Sequence, residues 1–203
     1  MPGRFRDRLA FCVILGVNLP AVLLNLLLVV LILRTASMRT NECYWLIVSH
    51  AACNLGTSIF MLVHVAPVVV FHFVYAEKGG RHNVIATSVN CIFEYATCFC
   101  TTLLAVNRYV SIVHRSAYSD MFGGRRMFCW ISGAFGAGAA TAAPTFSWPL
   151  WLFFDVYNYN VRFYSEEPLD MLWFACLDSI IYNATAAIMI FCYVSVIVTL
   201  LKH

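Results

Sequence analysis

Leu103-Leu-Ala-Val-Asn-Arg-Tyr-Val-Ser-Ile-Val113 is the stretch on which the reading of this chain turns. An apolar run from Val84 to Val106 passes without a break into Asn107-Arg108-Tyr109, and His114, Arg115, Asp120, Arg125 and Arg126 follow. An arginine is costly in hydrocarbon unless it sits at the membrane–water boundary or has a partner. Apolar residues before it and charged ones after it place Arg108 at a boundary. The run ending there is long enough to cross a bilayer, which needs about 20 apolar residues.

The rest of the chain has the same character. It has 203 residues, 62% of them hydrophobic and 11% charged. A soluble domain carries about 25% charged residues and about 45–50% apolar ones. The mean hydropathy is +0.78. Five apolar runs qualify as spans, at about Leu9–Leu33, Tyr44–Phe71, Val84–Val106, Met127–Trp151 and Met171–Leu201. Lipid admits only helices or closed barrels, and barrel strands are short and alternating, so continuous runs of this length are helical. The fold class is an all-α membrane protein of five transmembrane helices in one domain, 1–203. Arg4, Arg6 and Arg8 look like the start of a signal peptide, but the apolar run after them is too long for one. The connection Phe153–Asp170 is polar and aromatic. Trp45 and Trp130 fall at one membrane boundary, and Trp148, Trp151 and Trp173 at the other, where an apolar ring with a polar N–H is favoured.

Several chemistries have no footing here. A net charge of +3 is scattered over short loops, which gives no nucleic-acid surface. The nine cysteines lie mostly in or beside apolar runs and behave as small hydrophobes. Cys98-Phe-Cys100 lacks zinc spacing, and His50, His64 and His72 share no ligand pattern, so neither metal nor cofactor is expected. Gly133-x-x-Gly136-x-Gly138 lies inside an apolar helix rather than after a strand, so it is no nucleotide fingerprint. With Ser132 and Ala140 it forms small-residue steps suited to close helix packing or to dimerisation. No hydrolase, kinase or metalloprotease motif is present, and the chain is not expected to be an enzyme. Asn183-Ala184-Thr185 matches a glycosylation signal but lies within an apolar helix.

The ordered features resemble the seven-helix, rhodopsin-like G-protein-coupled receptors, and among them the nematode serpentine chemoreceptors of class X. Asn107-Arg108-Tyr109 is similar to the triplet at the cytoplasmic end of their third helix. Gly16 and Asn25 before Leu26–Leu33 resemble the first helix, and Ser37-Met38-Arg39-Thr40-Asn41 the loop after it. Asn54 stands where many relatives have a buried aspartate, and Pro67 also fits. Tyr118-Ser119-Asp120-Met121-Phe122 is similar to the second intracellular loop. Tyr193 resembles the tyrosine that swings beneath the arginine on activation. The resemblance implies helix packing by Asn25 and Asn54, and G-protein coupling through Asn107, Arg108, Tyr109 and Tyr193.

Three departures stand out. Asn107 replaces the usual acid, and an amide can hydrogen-bond the arginine but not pair with its charge. Asn83 occupies the place of the cysteine about 25 residues before the arginine, and Phe153–Asp170 contains no cysteine, so the family's usual disulfide cannot form. The sequence also reads as a receptor cut off after its fifth helix, as a gene fragment, a truncated gene prediction or a pseudogene would be.

Glu94 and Asp178 are the acids deepest in apolar runs. Such an acid faces a cavity, a partner or a proton. Glu94 precedes Arg108 by 14 residues, about 21 Å along a helix and nearly four whole turns. Both are ligand-pocket candidates. The expected function is a chemosensory receptor, or a fragment of one, that binds a small chemical cue within the bundle and engages a heterotrimeric G protein. It would lie in the plasma membrane of a sensory neuron. The competing readings are a small transporter or channel using the two acids, and a non-signalling receptor remnant. Basic residues nearly balance across the two sides, and Arg4, Arg6 and Arg8 argue for an inside N-terminus. The resemblance implies the reverse, an N-terminus outside.

Overall fold

The five apolar runs fold as helices because each can satisfy its backbone internally, which lipid demands. The computed structural model describes residues 2–71, 80–146, 151–155, 160–164 and 168–202. Helix α1 (Pro2–Arg34) leads through the short α2 (Ala36–Arg39) to α3 (Glu42–Phe60). A π turn, Met61–Val65, carries α3 into α4 (Ala66–Phe71), and the Ala66 N–H donates to the Met61 carbonyl five residues back. Pro67 lies just beyond. Its ring would crowd the carbonyl of Val63, and the widened turn makes room for it.

Helix α5 (Arg81–Val113) carries the decisive stretch, and α6 (Tyr118–Phe122) forms the next loop. Helix α7 (Arg125–Ala142) follows, with a 3-10 turn to Phe146, and α8 (Pro168–Lys202) ends the described chain. Phe5–Arg34, Glu42–Phe71, Arg81–Val113 and Met171–Lys202 are long and apolar enough to cross a membrane. The fourth expected span is corrected at its far end. Its α-helix stops at Ala142 rather than reaching Trp151, because Pro144 lacks the N–H that another turn requires. Ser88 Oγ, on α5, donates to the Thr145 carbonyl at 3.0 Å and fixes the turn that follows.

The polar and aromatic connection contains an antiparallel hairpin, which starts at Trp151 within the fourth expected span. Strand β1 (Trp151–Asp155) pairs with β2 (Asn160–Tyr164), from Trp151↔Tyr164 to Asp155↔Asn160. Its run of aromatic and branched residues suits a pleated surface. His72, Lys78 and Trp148 lie outside the described residues.

Helix α5 is the axis of the bundle, touching α3, α7, α8 and the hairpin. Cys53, Ala96, Cys100 and Ala134 pack where α3, α5 and α7 meet. At the Arg108 end, Leu46, Val110, Phe122 and Met127 form a second buried group. At the hairpin end, Phe154 is buried with Phe60, Val65, Val68 and Val69. Helices α1 and α8 present exposed apolar side chains outward, among them Leu23, Leu24, Ile190 and Leu200. Such surfaces suit lipid and would be an aggregation hazard in water.

The small-residue steps of α7 divide by face. A Cβ on Gly138 would meet the Ala96 nitrogen at 2.9 Å and the Ile92 carbonyl at 3.0 Å, so glycine sets the approach of α7 to α5. Gly133 and Gly136 have open space beside them. The packing role expected of those two therefore falls to Gly138 within this chain, two residues and about 200° around the helix from Gly136. On α3, Gly56 makes room for the Phe93 ring, which a Cβ would meet at 2.6 Å.

Candidate functional site

Four polar constellations lie along α5. The first is at its start. Asn83 is fully buried. Its Nδ2 donates to the Phe154 carbonyl at 3.1 Å, and its Oδ1 accepts from the Phe154 N–H at 3.1 Å. An amide thus pairs with the backbone of β1 as a neighbouring strand would. Thr87 Oγ1 at 3.3 Å and His64 Nε2 at 3.2 Å meet the same Oδ1. The clamp ties α5 to the hairpin and to the π turn. It stands at the position where the resemblance led us to expect a missing disulfide.

The second lies about two to four turns further along. Asn90 Nδ2 donates to Glu94 Oε1 at 2.8 Å, the i to i+4 spacing that puts both on one face. Tyr95, buried at 2% exposure, donates its hydroxyl to Asp178 Oδ1 on α8 at 2.8 Å. Its ring lies 6.3 Å from that of Tyr182, one turn beyond Asp178. Glu94 and Asp178 lie within electrostatic reach of each other and of Cys91 and Cys98. The two acids singled out in the sequence are thus brought into one cluster between α5 and α8. The hairpin roofs it, since Val161 packs against Cys91, Tyr95, Ala142 and Phe174.

The third is at mid-helix. His50 Nδ1 meets Thr101 Oγ1 at 3.3 Å, and Asn54 Nδ2 meets His50 Nε2 at 3.1 Å. Thr101 already donates to the Thr97 carbonyl at 2.7 Å, so it accepts from His50. That leaves Nε2 to accept from Asn54, which assigns a neutral ring protonated at Nδ1. Asn54 therefore joins α3 to α5 through His50. Asn25, by contrast, donates to the Ala21 carbonyl of its own helix at 2.8 Å.

The fourth is the triplet. Asn107 is buried at 1% exposure. Its Oδ1 accepts from Cys43 Sγ at 3.1 Å, and its Nδ2 donates to the Tyr118 hydroxyl at 3.2 Å. The Tyr118 ring lies tilted 5.8 Å from that of Phe122, which is buried against Leu46, Val110 and Met127. Asn107 thus holds the loop helix α6 against α3 and α5. Arg108, next on the helix and about 100° around, is exposed, and its side chain makes no ion pair among the described residues. Tyr109 turns to α8, its ring 5.7 Å from Phe191 and its hydroxyl 3.0 Å from His114 Nε2.

A helix bundle with a buried asparagine beside an exposed arginine, at the end of its central helix, is now in view. Residues 24–203 match the family described as 7 transmembrane receptor (rhodopsin family). The chain belongs to that family. A crystal structure of squid rhodopsin has a similar fold, with a TM-score of 0.81 at 15% identity over 100% of this chain. The likeness takes in 57% of the squid protein's chain. No curated protein matches. The protein is thus a multi-pass membrane protein of a receptor family rather than an enzyme family.

Tyr193 is 48% exposed on α8, about 200° around the helix from Phe191. The residue that meets the triplet is Phe191, which the sequence reading passed over because the resemblance directed attention to the tyrosine. Asn83 was noticed only for the cysteine it replaces. Its hydrogen-bonding role needed the hairpin, which no local pattern announced. Asn183 sits exposed on α8 and donates to the Ser179 carbonyl of its own helix at 2.7 Å.

Proposed function

We propose that the chain is the ligand-binding and coupling body of a chemosensory receptor, similar to the nematode class X group, in the plasma membrane with its N-terminus outside. The observation that carries this reading is the division of labour along α5. One end holds a roofed polar cluster around Glu94 and Asp178. The other holds a buried Asn107 that sets the loop helix and an Arg108 left free to engage a partner. A small molecule bound between α5 and α8 beneath the hairpin shifts the balance between two arrangements of the bundle, provided it binds one of them more tightly. The Arg108 face with α6 then meets a heterotrimeric G protein. Tyr109 against Phe191 links that face to α8, the helix that also carries Asp178.

The test measures G-protein output from a receptor that carries this chain. Arg108→Ala should lower ligand-stimulated output at least tenfold while leaving surface delivery largely intact, because the guanidinium has no buried partner to strand. Glu94→Gln should instead shift the ligand response. Unchanged signalling in the Arg108 variant would remove the coupling claim.

A further inference from the structure

The cluster between α5 and α8 is unbalanced. It offers two carboxyl groups, Glu94 and Asp178, and the hydroxyls of Tyr95 and Tyr182. Along α5 no Lys or Arg stands between Arg81 and Arg108, and along α8 none precedes Lys202. The imidazoles of α3 and of the π turn after it are committed elsewhere, His50 to Asn54 and Thr101, and His64 to Asn83. Along α3, α5 and α8, therefore, no cation faces the two acids. A second observation points the same way. Asn90 is 2% exposed, and its Oδ1 is a buried acceptor with no hydrogen-bond partner among the described residues. The same amide gives its Nδ2 to Glu94 Oε1 at 2.8 Å, so the orphaned oxygen sits beside that carboxyl. A buried polar atom left unpaired is costly, and two half-buried acids facing each other without a counter-charge are unfavourable as well. What the cluster lacks is a positively charged hydrogen-bond donor.

We propose that Asn90, Glu94 and Asp178 seat the charged head of an organic ammonium ligand. The ammonium has three donors on a compact charge, which matches one amide oxygen and two carboxyls. The rings of Tyr95 and Tyr182 flank it at 6.3 Å from each other, and aromatic faces attract a desolvated cation. Val161 of the hairpin closes the cluster with Cys91, Tyr95 and Phe174, which favours an apolar body behind the charged head. The inference rests on the reading of this half as the ligand site, and adds its chemistry.

The experiment uses the whole 203-residue chain in lipid nanodiscs and follows its thermal unfolding with three probes: phenethylamine, trimethyl(phenethyl)ammonium and phenethyl alcohol. The expected result is saturable stabilisation by phenethylamine, with the alcohol at least tenfold weaker, because only the amine supplies the missing charge. The quaternary ammonium, which cannot donate a hydrogen bond, should fall between them. In Glu94→Gln/Asp178→Asn the preference for amine over alcohol should vanish, and Asn90→Leu should weaken the amine alone. Gly133→Ala, on the outward face of α7, should leave all three responses as they are. If the alcohol stabilises as well as the amine and the double variant weakens both, the cation assignment is overturned while the location stands. Amine binding that survives the double variant places the probe elsewhere and overturns the proposal. So does the absence of any saturable response in the unaltered chain, where no variant needs to fold. None of these outcomes bears on the coupling claim, which the Arg108 variant judges separately.

Discussion

Asn83→Ala should cost the protein about 3 kcal/mol of stability, since it strands the backbone N–H and carbonyl of Phe154 at a buried site. Each neutral hydrogen bond contributes only about 1 kcal/mol net, but a buried group left unpaired costs about 1–3 kcal/mol. Thr87 and His64 lose an acceptor as well. The loss is local in structure. The hairpin should detach from α5 before the bundle unfolds, so hydrogen exchange at residues 151–155 should rise far more than exchange within α5. Asn83→Asp is the sharper variant. It keeps the volume and the acceptor for the Phe154 N–H, but loses the donor to the Phe154 carbonyl and sets a carboxylate against it. It should be at least as damaging as alanine. A hairpin protected equally in all three proteins would remove the clamp from the account.

Gly138→Ala should be the next largest effect, at about 1–3 kcal/mol, the usual cost of overpacking a well-fitted contact. The added Cβ would meet backbone atoms of Ala96 and Ile92, and backbone cannot swing aside as a flexible side chain does. Helices α5 and α7 must separate, which loosens Cys100 and Ala134 nearby. Gly133→Ala and Gly136→Ala meet open space and should be neutral or stabilising, by up to about 1 kcal/mol of helix propensity. The three glycines lie within six residues of one helix, so the contrast isolates the packing face. Thermal unfolding of the three variants in one lipid composition checks it, and equal Tm values would contradict the assignment.

Much of the fold was legible in the sequence because lipid leaves few choices. The apolar runs marked the helices, though α5 runs on past Val106 to Val113 and the fourth α-helix stops short at Ala142, before Pro144. The acids were legible for the same reason, since Glu94 and Asp178 stood out against uncharged surroundings. What joins them was not, because Tyr95 and Tyr182 look like ordinary apolar aromatics until α5 and α8 are placed side by side. Asn107 was read as a weakened partner for Arg108, yet successive residues on a helix point about 100° apart. Its amide turns inward to Cys43 and Tyr118, from parts of the chain 64 and 11 residues away, and that pairing is invisible to local pattern. Gly133, Gly136 and Gly138 were equivalent in sequence, and only helix phase separates them.

In the proposed orientation the Asn90–Glu94–Asp178 cluster opens outward and the Arg108 face meets the cytoplasm. The basic residues do not decide this. Glycosylation acceptors engineered singly at the N-terminus, within 34–42, within 114–126 and within 153–170, and read out in microsomes, address it directly. The account predicts modification at the N-terminus and within 153–170, and none in the other two segments. Modification within 114–126 would invert the molecule, take Arg108 away from any G protein, and contradict the account.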